Sequence, residues 1–289
     1  MTHFADRLAD AVRAKRTALC VGLDPRWESL PESIRTRHAD TPASTAVAYE
    51  EFCLRVLEIV APRVGVVKPQ SAFFEACGPA GTAALQRVLR RAKELGLITI
   101  LDAKRGDIAS TASAYADAAF KVLDADALTV NPYLGRDAVE PFITAARKDG
   151  RGLFVLVRTS NPGAGLFQDL VCEGRPVYQH VAAAVAAWNG ENVGTFGFGD
   201  VGAVVGATHP AELRLLREQL PNVWLLVPGY GAQGGTATDV RAAFRADGLG
   251  AVVNSSRGVT FPFPPADANW EGAIMVAVER AAGELAIRD

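Results

Sequence analysis

Eight short runs of apolar, often β-branched residues recur along the chain, separated by alanine-rich stretches with helical patterning. Near-continuous apolarity is typical of parallel strands covered on both faces. The runs are residues 18–24, 64–68, 97–102, 127–131, 152–158, 201–206, 223–227 and 250–254. Eight strand–helix units within 289 residues predict an α/β fold, a (β/α)₈ TIM barrel. An open, doubly wound sheet is the alternative.

The helical patterns complete this architecture. They cover residues 45–61, 81–95, 110–123, 137–148, 176–188, 210–220 and 236–246, with one helix before the first strand and a closing helix over about 269–286. Neither a repeat nor a linker nor a low-complexity tract divides the chain, so we expect residues 1–289 to form a single TIM-barrel domain. The irregular segments 161–174, 189–200 and 259–268 are candidate lids or insertions.

Charge and composition exclude several classes of function. The net charge is −2, so no basic surface indicates nucleic-acid or membrane binding. No apolar run reaches the roughly 18 residues of a membrane span, and the first residues lack the apolar core of a signal peptide. The four cysteines form no CxxC pair, which indicates reduced thiols in a cytoplasmic protein. The four histidines have no metal-ligand spacing.

Unusual residues gather where the predicted strands end. Active sites of TIM barrels lie at the C-terminal ends of the strands. Asp24 ends the first strand, Lys68 the second, and Asp102 and Lys104 the third. The chain has six lysines against 24 arginines, so lysine at two of these ends is notable. Lysine differs from arginine in having a pKa that can fall far enough for proton transfer.

The stretch LDAKRGDI, residues 101–108, crowds charges at the end of an apolar run. Burying an ion costs several kcal/mol unless it is paired. In a strand Asp102 and Lys104 project to the same face, and Asp107 lies in the following turn. A lysine between two carboxylates stays protonated, so Lys104 suits proton donation better than Schiff-base formation. With Lys68 on the neighbouring strand the array becomes Lys–Asp–Lys–Asp. A structural ion-pair network is the alternative.

Two glycine-containing turns indicate a binding site for a phosphate group. PGYGAQGG, residues 228–235, follows the seventh strand, and SSRG, residues 255–258, follows the eighth. These loops form the usual phosphate site of this barrel, where glycines let backbone N–H groups approach the anion. Arg257 would supply a charged fork and Gln233 a neutral donor. The glycines could instead only form tight turns. Two adjacent loops with an arginine favour a phosphorylated small molecule.

Two further polar positions allow either a ligand or a local structural role. Asp24 could bind sugar hydroxyls or cap its turn. In TSNPGAG, residues 159–165, Ser160 could hydrogen-bond a heterocycle, although Asn-Pro-Gly is also a common turn.

LDAKRGDI, the upstream Lys68, PGYGAQGG and the final Arg-Gly together resemble the orotidine 5′-phosphate decarboxylase family, in its longer branch that is often met in bacteria. The resemblance runs from Asp24 to Gly258. It implies decarboxylation of orotidine 5′-monophosphate (OMP) to uridine 5′-monophosphate (UMP), the last step of de novo pyrimidine biosynthesis. It also implies a homodimer with active sites at the subunit interface, and neither a metal nor an organic cofactor.

The resemblance assigns a role to each matching residue. Asp102 would crowd the substrate carboxylate, and Lys104 would stabilise the C6 carbanion and protonate it. Lys68 and Asp24 would hold the ribose hydroxyls, with Lys68 also bonded to Asp102. Asp107 and Thr111 would reach across the dimer interface. Ser160 would contact the amide edge of the pyrimidine. The remaining substrate-binding residues are Pro228, Gln233, Gly235, Arg257 and Gly258, of which the last four would hold the phosphate.

This chain departs from the family pattern at one point, and two other kinds of barrel protein are alternatives. Many family members read Ile-Pro-X-Thr where this chain has Ile108-Ala109-Ser110-Thr111. Hexulose-phosphate synthases and keto-gulonate-phosphate decarboxylases share the Asp-x-Lys-x-x-Asp core but bind Mg²⁺, often with an acidic ligand at the end of strand two. Here that place holds Lys68, which would repel a metal. A non-catalytic barrel that binds a phosphorylated ligand is the rival from another class, although clustered charge would bring it no benefit.

Overall fold

The computed structural model describes residues 2–231 and 234–287. Eight parallel strands form a closed barrel in which each strand pairs with its neighbours in chain order and the last pairs with the first. The strands are β1 (Leu19–Leu23), β2 (Val66–Pro69), β3 (Ile98–Arg105), β4 (Ala127–Val130), β5 (Gly152–Arg158), β6 (Val201–Val205), β7 (Leu225–Val227) and β8 (Ala251–Ser255). The eight predicted strands and the TIM barrel are therefore confirmed, and the open sheet is excluded.

Helices fill the connections between the strands, and further helices precede β1 and follow β8. They are α1 (Phe4–Lys15), α2 (Glu32–Arg35), α3 (Pro42–Val60), α4 (Ser71–Glu75), α5 (Gly78–Glu94), α6 (Ala109–Asp117), α7 (Arg136–Lys148), α8 (Gly165–Gln168), α9 (Val177–Gly190), α10 (Pro210–Gln219), α11 (Ala237–Val240), α12 (Arg257–Thr260) and α13 (Trp270–Glu284). A π-helical turn, Ala118–Val122, continues α6, and a small hairpin pairs Val171–Cys172 with Arg175–Pro176.

Several predicted segments differ from the structure. The helix predicted over 236–246 ends early, as α11 and a 3₁₀ turn, Arg241–Ala243, because Phe244 turns to an extended backbone and packs against the core. Segment 161–174, predicted to be irregular, contains α8 and one strand of the hairpin. Within the two described ranges, no helix is long and apolar enough to cross a membrane. All four cysteines are free.

Apolar packing closes one end of the barrel and leaves the other for a site. The N-terminal helix α1 buries Phe4 and Leu8 against residues inside the barrel, among them Phe154 and Trp224. Phe4 meets Phe154 edge to face, with ring centroids 6.3 Å apart. Gly152 makes this possible, since a Cβ there would lie 2.1 Å from Cδ1 of Phe4. The C-terminal ends of the strands therefore form the open mouth.

Candidate active site

A cavity of about 530 Å³ opens at the C-terminal mouth of the barrel. Many of the residues singled out in the sequence line it, namely Asp24, Lys68, Asp102, Lys104, Ser160, Pro228 and Arg257. Asp107, Thr111, Gly235 and Gly258 do not line it. Gln233 lies outside the described residues.

One carboxylate holds two ammonium groups in this cavity. Lys68 Nζ lies 2.5 Å from Asp102 Oδ2, and Lys104 Nζ lies 2.6 Å from Asp102 Oδ1. Lys68 and Asp102 are buried, whereas the Lys104 side chain is 47% exposed. The inner pair is therefore fixed inside the protein, and the ammonium of Lys104 reaches the space that a ligand would fill.

The environment keeps the inner pair charged. Burial by itself lowers the pKa of Lys68, but the negative charges of Asp102 and Asp24 outweigh it and raise that pKa above its ordinary value. Burial likewise favours a higher pKa for Asp102, but Lys68 and Lys104 outweigh it and hold that pKa below its ordinary range. Lys68 is therefore an ammonium and Asp102 a carboxylate at neutral pH.

The backbone that presents Lys104 is irregular. Strand β3 continues to Arg105, three residues beyond the end predicted from the sequence, and its register with β4 shifts between Leu101 and Arg105. Lys104 lies in the left-handed region, with φ of 45°. That conformation costs a non-glycine residue roughly 1–2 kcal/mol. A bulge, rather than the alternation of a regular strand, therefore brings Asp102 and Lys104 together.

Asp107 and Thr111 follow this bulge but do not line the cavity of their own chain. Oδ1 of Asp107 accepts a hydrogen bond of 2.8 Å from the Ile108 backbone N–H, and Thr111 is exposed on α6. Large apolar side chains nearby in sequence and on the next strand's loop are also exposed, namely Ile108, Tyr115, Tyr133 and Leu134. The structure of one chain therefore does not bring these two residues into the cavity.

Two buried acceptors at the cavity have no hydrogen-bond partner among the described residues. They are Oδ1 of Asp24, after β1, and Oδ1 of Asn254, in β8. A buried acceptor without a partner is costly, so both atoms suit the hydroxyl or N–H donors of a ligand. Asn254 was missed in the sequence, although a polar residue closing the apolar run of β8 was a usable signal.

Arg158 anchors the segment that carries Ser160. Its guanidinium is buried, lies 2.5 Å from Glu212 Oε2 of α10, and also pairs with Asp169. The side chain of Gln168 accepts a 3.0 Å hydrogen bond from the Thr159 backbone N–H. Gly206 lets this segment approach, because a Cβ there would lie 2.9 Å from Cβ of Ser160. Ser160 therefore lies on a loop that hydrogen bonds and ion pairs hold in place.

The rim formed after β7 and β8 has the features of an anion site. Pro228, Gly229, Tyr230 and Ser256 line it together with Arg257. The hydroxyl of Tyr230 donates a hydrogen bond to Glu284 of α13, which ties the turn after β7 to the helical layer. The N–H of Gly235 donates to the Gly229 carbonyl, at 3.1 Å, and so stabilises the turn itself.

Charge balance favours an anionic ligand. Four cations line the cavity, Arg26, Lys68, Lys104 and Arg257, against two carboxylates, Asp24 and Asp102. In the part of the chain that the structure describes, no carboxylate pairs with the exposed Arg257 guanidinium. Nor do these residues include a cluster of three or more His, Cys, Asp or Glu side chains placed to hold a metal ion.

Replacing Arg257 with alanine should lower kcat/KM for a phosphorylated substrate about 10–100-fold, because one hydrogen-bonded charge contact to the phosphate is lost. Steady-state kinetics on the purified variant would measure this. Arg90→Ala, which removes an exposed arginine on the outside of α5, is the matched control and should change nothing. An Arg257→Ala protein with the kinetics of the unmodified chain would contradict a phosphate site at this rim.

Fold and site together define a (β/α)₈-barrel enzyme whose mouth presents a fixed lysine–aspartate array to an anionic ligand. The family model described as "Orotidine 5'-phosphate decarboxylase / HUMPS family" matches residues 17–268. This chain belongs to that family.

Individual relatives agree over almost the full length. A protein of Rhodopirellula baltica named orotidine 5′-phosphate decarboxylase is 48% identical, covering 96% of this chain and 97% of its own. One of that name from Deinococcus radiodurans is 44% identical over 89% of each chain. Among solved structures, the OMP decarboxylase of Leishmania donovani superposes with a TM-score of 0.79 at 38% identity, covering 98% of this chain and 97% of that one.

Proposed function

We propose that this chain decarboxylates OMP to UMP, the last step of de novo pyrimidine biosynthesis, by fixed-charge catalysis with Lys104 as proton donor. The observation that carries the proposal is the Lys68–Asp102–Lys104 array, held at 2.5 and 2.6 Å beside a cavity that also contains Arg257. The 48% identical relative is named for the same activity.

The chemistry explains why such an array is useful. The bond from C6 of the pyrimidine to the carboxylate carbon breaks, CO₂ leaves, and the electron pair stays on C6. The ammonium of Lys104 stabilises this developing carbanion and then gives it a proton, which forms the C6–H bond of UMP. The neutral lysine takes a proton back from water. Preorganised charge of this kind is usually the largest contribution to catalysis.

Asp102 and Lys68 prepare this step. The carboxylate of Asp102 stands beside Lys104 and would crowd the carboxylate of the substrate. The repulsion between these two negative charges is relieved when CO₂ leaves. Lys68 lies 2.5 Å from Asp102 and keeps it ionised and in place. Contacts remote from C6 supply the binding energy that brings two negative charges together.

The other residues bind the substrate. Asp24, with its unpartnered Oδ1, and Lys68 would take the ribose hydroxyls. Ser160 would contact the amide edge of the pyrimidine. The phosphate would lie between Arg257, Gln233 and the backbone of Gly235 and Gly258, with Pro228 at the cavity wall. The role of Gln233 is proposed from the sequence alone.

We further propose that the enzyme works as a homodimer in which Asp107 and Thr111 enter the partner's site. Both follow β3 immediately, yet neither lines the cavity of its own chain. The exposed side chains of Tyr133 and Leu134, 84% and 51% exposed, give this rim an apolar surface that a second copy would cover.

Mixing Asp102→Ala with Asp107→Ala protein should restore activity that neither parent has. Each hybrid dimer would carry one site with both changes and one intact site, so random reassortment should recover about a quarter of the full activity. Mixing Asp102→Ala with Lys104→Ala is the control and should recover nothing, because both residues come from the same side of one site. Verified hybrid dimers without activity would contradict a shared site.

A cytoplasmic location and a single domain over residues 1–289 are also proposed. Four free cysteines support the first. The closed barrel with its helical layer supports the second.

Incubation of the purified protein with OMP, with UMP identified as the product, tests the proposed reaction. A hexulose phosphate supplied with Mg²⁺ is the comparison substrate, since the family description includes more than one group. Turnover of OMP alone is the expected result. Turnover of the sugar phosphate but not of OMP would overturn the proposal.

A further inference from the structure

Thr129, at the mouth end of β4, has a fully used hydroxyl group. The residue is 1% exposed. Its Oγ1 donates to Oδ1 of Asp102 at 3.1 Å and accepts from the backbone N–H groups of Ala103 at 3.0 Å and Lys104 at 2.9 Å. One donor and two acceptor positions are all that a threonine hydroxyl has. The sequence contained no signal for this, because threonine is common in strands.

The register of the two strands explains why a side chain is needed. Leu101 lies opposite Leu128, and Arg105 lies opposite Val130. Three residues of β3, 102–104, therefore stand against the single residue Thr129. Asp102 also pairs with Gln70 on the other side of β3, whereas the N–H groups of Ala103 and Lys104 both turn to Thr129. The threonine hydroxyl accepts both hydrogen bonds, and so completes a bulge that the regular ladder would leave unsatisfied.

This bulge contains the left-handed Lys104, whose φ is 45°. A strained conformation persists only where its surroundings fix it. The Thr129 hydroxyl accepts hydrogen bonds from two N–H groups of the strained segment, those of Ala103 and Lys104. It donates its own hydrogen bond to Oδ1 of Asp102, the oxygen that also contacts the Lys104 ammonium. Thr129 therefore ties the backbone of the lysine to the carboxylate that its side chain contacts.

We propose that Thr129 is a positioning residue for the reaction, which holds the Lys104 backbone in the left-handed conformation and orients Asp102 beneath the ammonium. Thr129 lines the cavity, but its hydroxyl is fully used by Asp102, Ala103 and Lys104, so no bond from it to the reacting atoms of the substrate is proposed. This inference rests on the proposed function, since it requires that Lys104 and Asp102 carry the chemistry.

The experiment compares three variants with the unmodified protein. Thr129→Val keeps the shape and removes the hydroxyl, and Thr129→Ser restores a hydroxyl. Thr99→Val is the matched control, because Thr99 is also fully buried in the same region, and its hydroxyl bonds Asp126, away from the cavity. The measurements are kcat and KM for OMP, the affinity for UMP, and thermal unfolding.

Thr129→Val should lose about 100-fold in kcat, because displacement of a reacting group by about 1 Å has an effect of that size. KM and UMP affinity should change less than about 3-fold, since the binding residues stay in place. Thr129→Ser should recover kcat to within about 10-fold of the unmodified protein, its χ1 being less restricted than that of threonine. Thr99→Val should keep the kcat of the unmodified protein, whether or not its unfolding temperature falls.

A Thr129→Val protein with unchanged kcat would overturn the inference. So would a Thr129→Ser protein that is folded but as slow as Thr129→Val, or an equal loss of kcat in Thr99→Val. Absence of turnover in the unmodified protein would overturn the proposed function, and this inference with it.

Discussion

Replacing Lys104 with alanine is expected to lower kcat by about 10⁴-fold or more, because one side chain supplies both the general acid and the charge that stabilises the carbanion. The fold should survive. The Lys104 side chain is 47% exposed, and Asp102 would keep Lys68 and Thr129 as partners. OMP turnover and thermal unfolding of the purified variant would measure both effects. The variant should still bind UMP, since the cavity keeps its other residues.

The matched control for this change is Lys121→Ala. Lys121 is an exposed lysine that pairs with Asp117 one helical turn away, outside the cavity. This control should retain full activity. Near-normal turnover by the Lys104→Ala protein would contradict the assignment of Lys104 as the proton donor. A barrel that only binds its ligand would show no turnover in the unmodified protein or in the variant.

Replacing Asp102 with asparagine should lower both activity and stability. The amide keeps the shape of the side chain but leaves the buried ammonium of Lys68 without its closest counter-ion. Removing one partner of a buried ion pair costs roughly 3–5 kcal/mol. We expect the free energy of unfolding at pH 7 to fall by about that amount, and kcat to fall by at least about 100-fold. Denaturant unfolding and OMP kinetics would measure the two losses.

The loss of stability should depend on pH in a defined direction. In the unmodified protein the pKa of Lys68 is raised, so the stability that its charge contributes is present below its unfolded pKa of about 10.4 and is lost as the pH rises above it. The lowered pKa of Asp102 contributes stability that is lost only as the pH falls below about 4. Between these limits the pair contributes a constant amount.

In the Asp102→Asn protein the sign for Lys68 reverses. We expect burial beside Lys104 to outweigh Asp24, the carboxylate that remains, and to lower the pKa of Lys68. The folded state then binds fewer protons than the unfolded state, and stability rises with pH. The difference in stability between the two proteins should therefore shrink from pH 7 to pH 9.5. Asp117→Asn, at an exposed pair, is the control and should show no such trend. Equal stability of Asp102→Asn and unmodified protein at pH 7 would contradict the buried pair.

Much of the fold could be predicted because parallel barrel strands leave a strong sequence signal. Their two covered faces require nearly continuous apolar runs, and eight such runs became eight strands. The cavity residues Asp24, Lys68 and Asp102 could be predicted by the same rule, since charges placed directly after buried strands meet at one end of the barrel. Helix lengths were less predictable, because tertiary packing ended α11 where the local pattern continued.

The remaining features of the site depend on geometry that residue order does not encode. The bulge at Lys104 follows from pairing with β4, and Thr129 acquires its contacts only through that bulge. Asp107 and Thr111 do not line the cavity of one chain, so the role expected for them across a dimer interface stays a prediction. The anchor of the Ser160 segment joins Arg158 to Glu212, 54 positions apart, which no local pattern reveals.

The central claim is that the fixed charges of this chain suffice for decarboxylation. Its most direct test follows the loss of the orotate ultraviolet absorbance of OMP, with purified protein that has been treated with excess EDTA, and identifies the product. We predict rapid formation of UMP at a rate that neither EDTA nor added Mg²⁺ changes. A protein that converts OMP only when Mg²⁺ is restored would contradict catalysis by fixed charges alone. A folded, dimeric protein that converts no OMP would indicate metal-dependent sugar-phosphate chemistry instead.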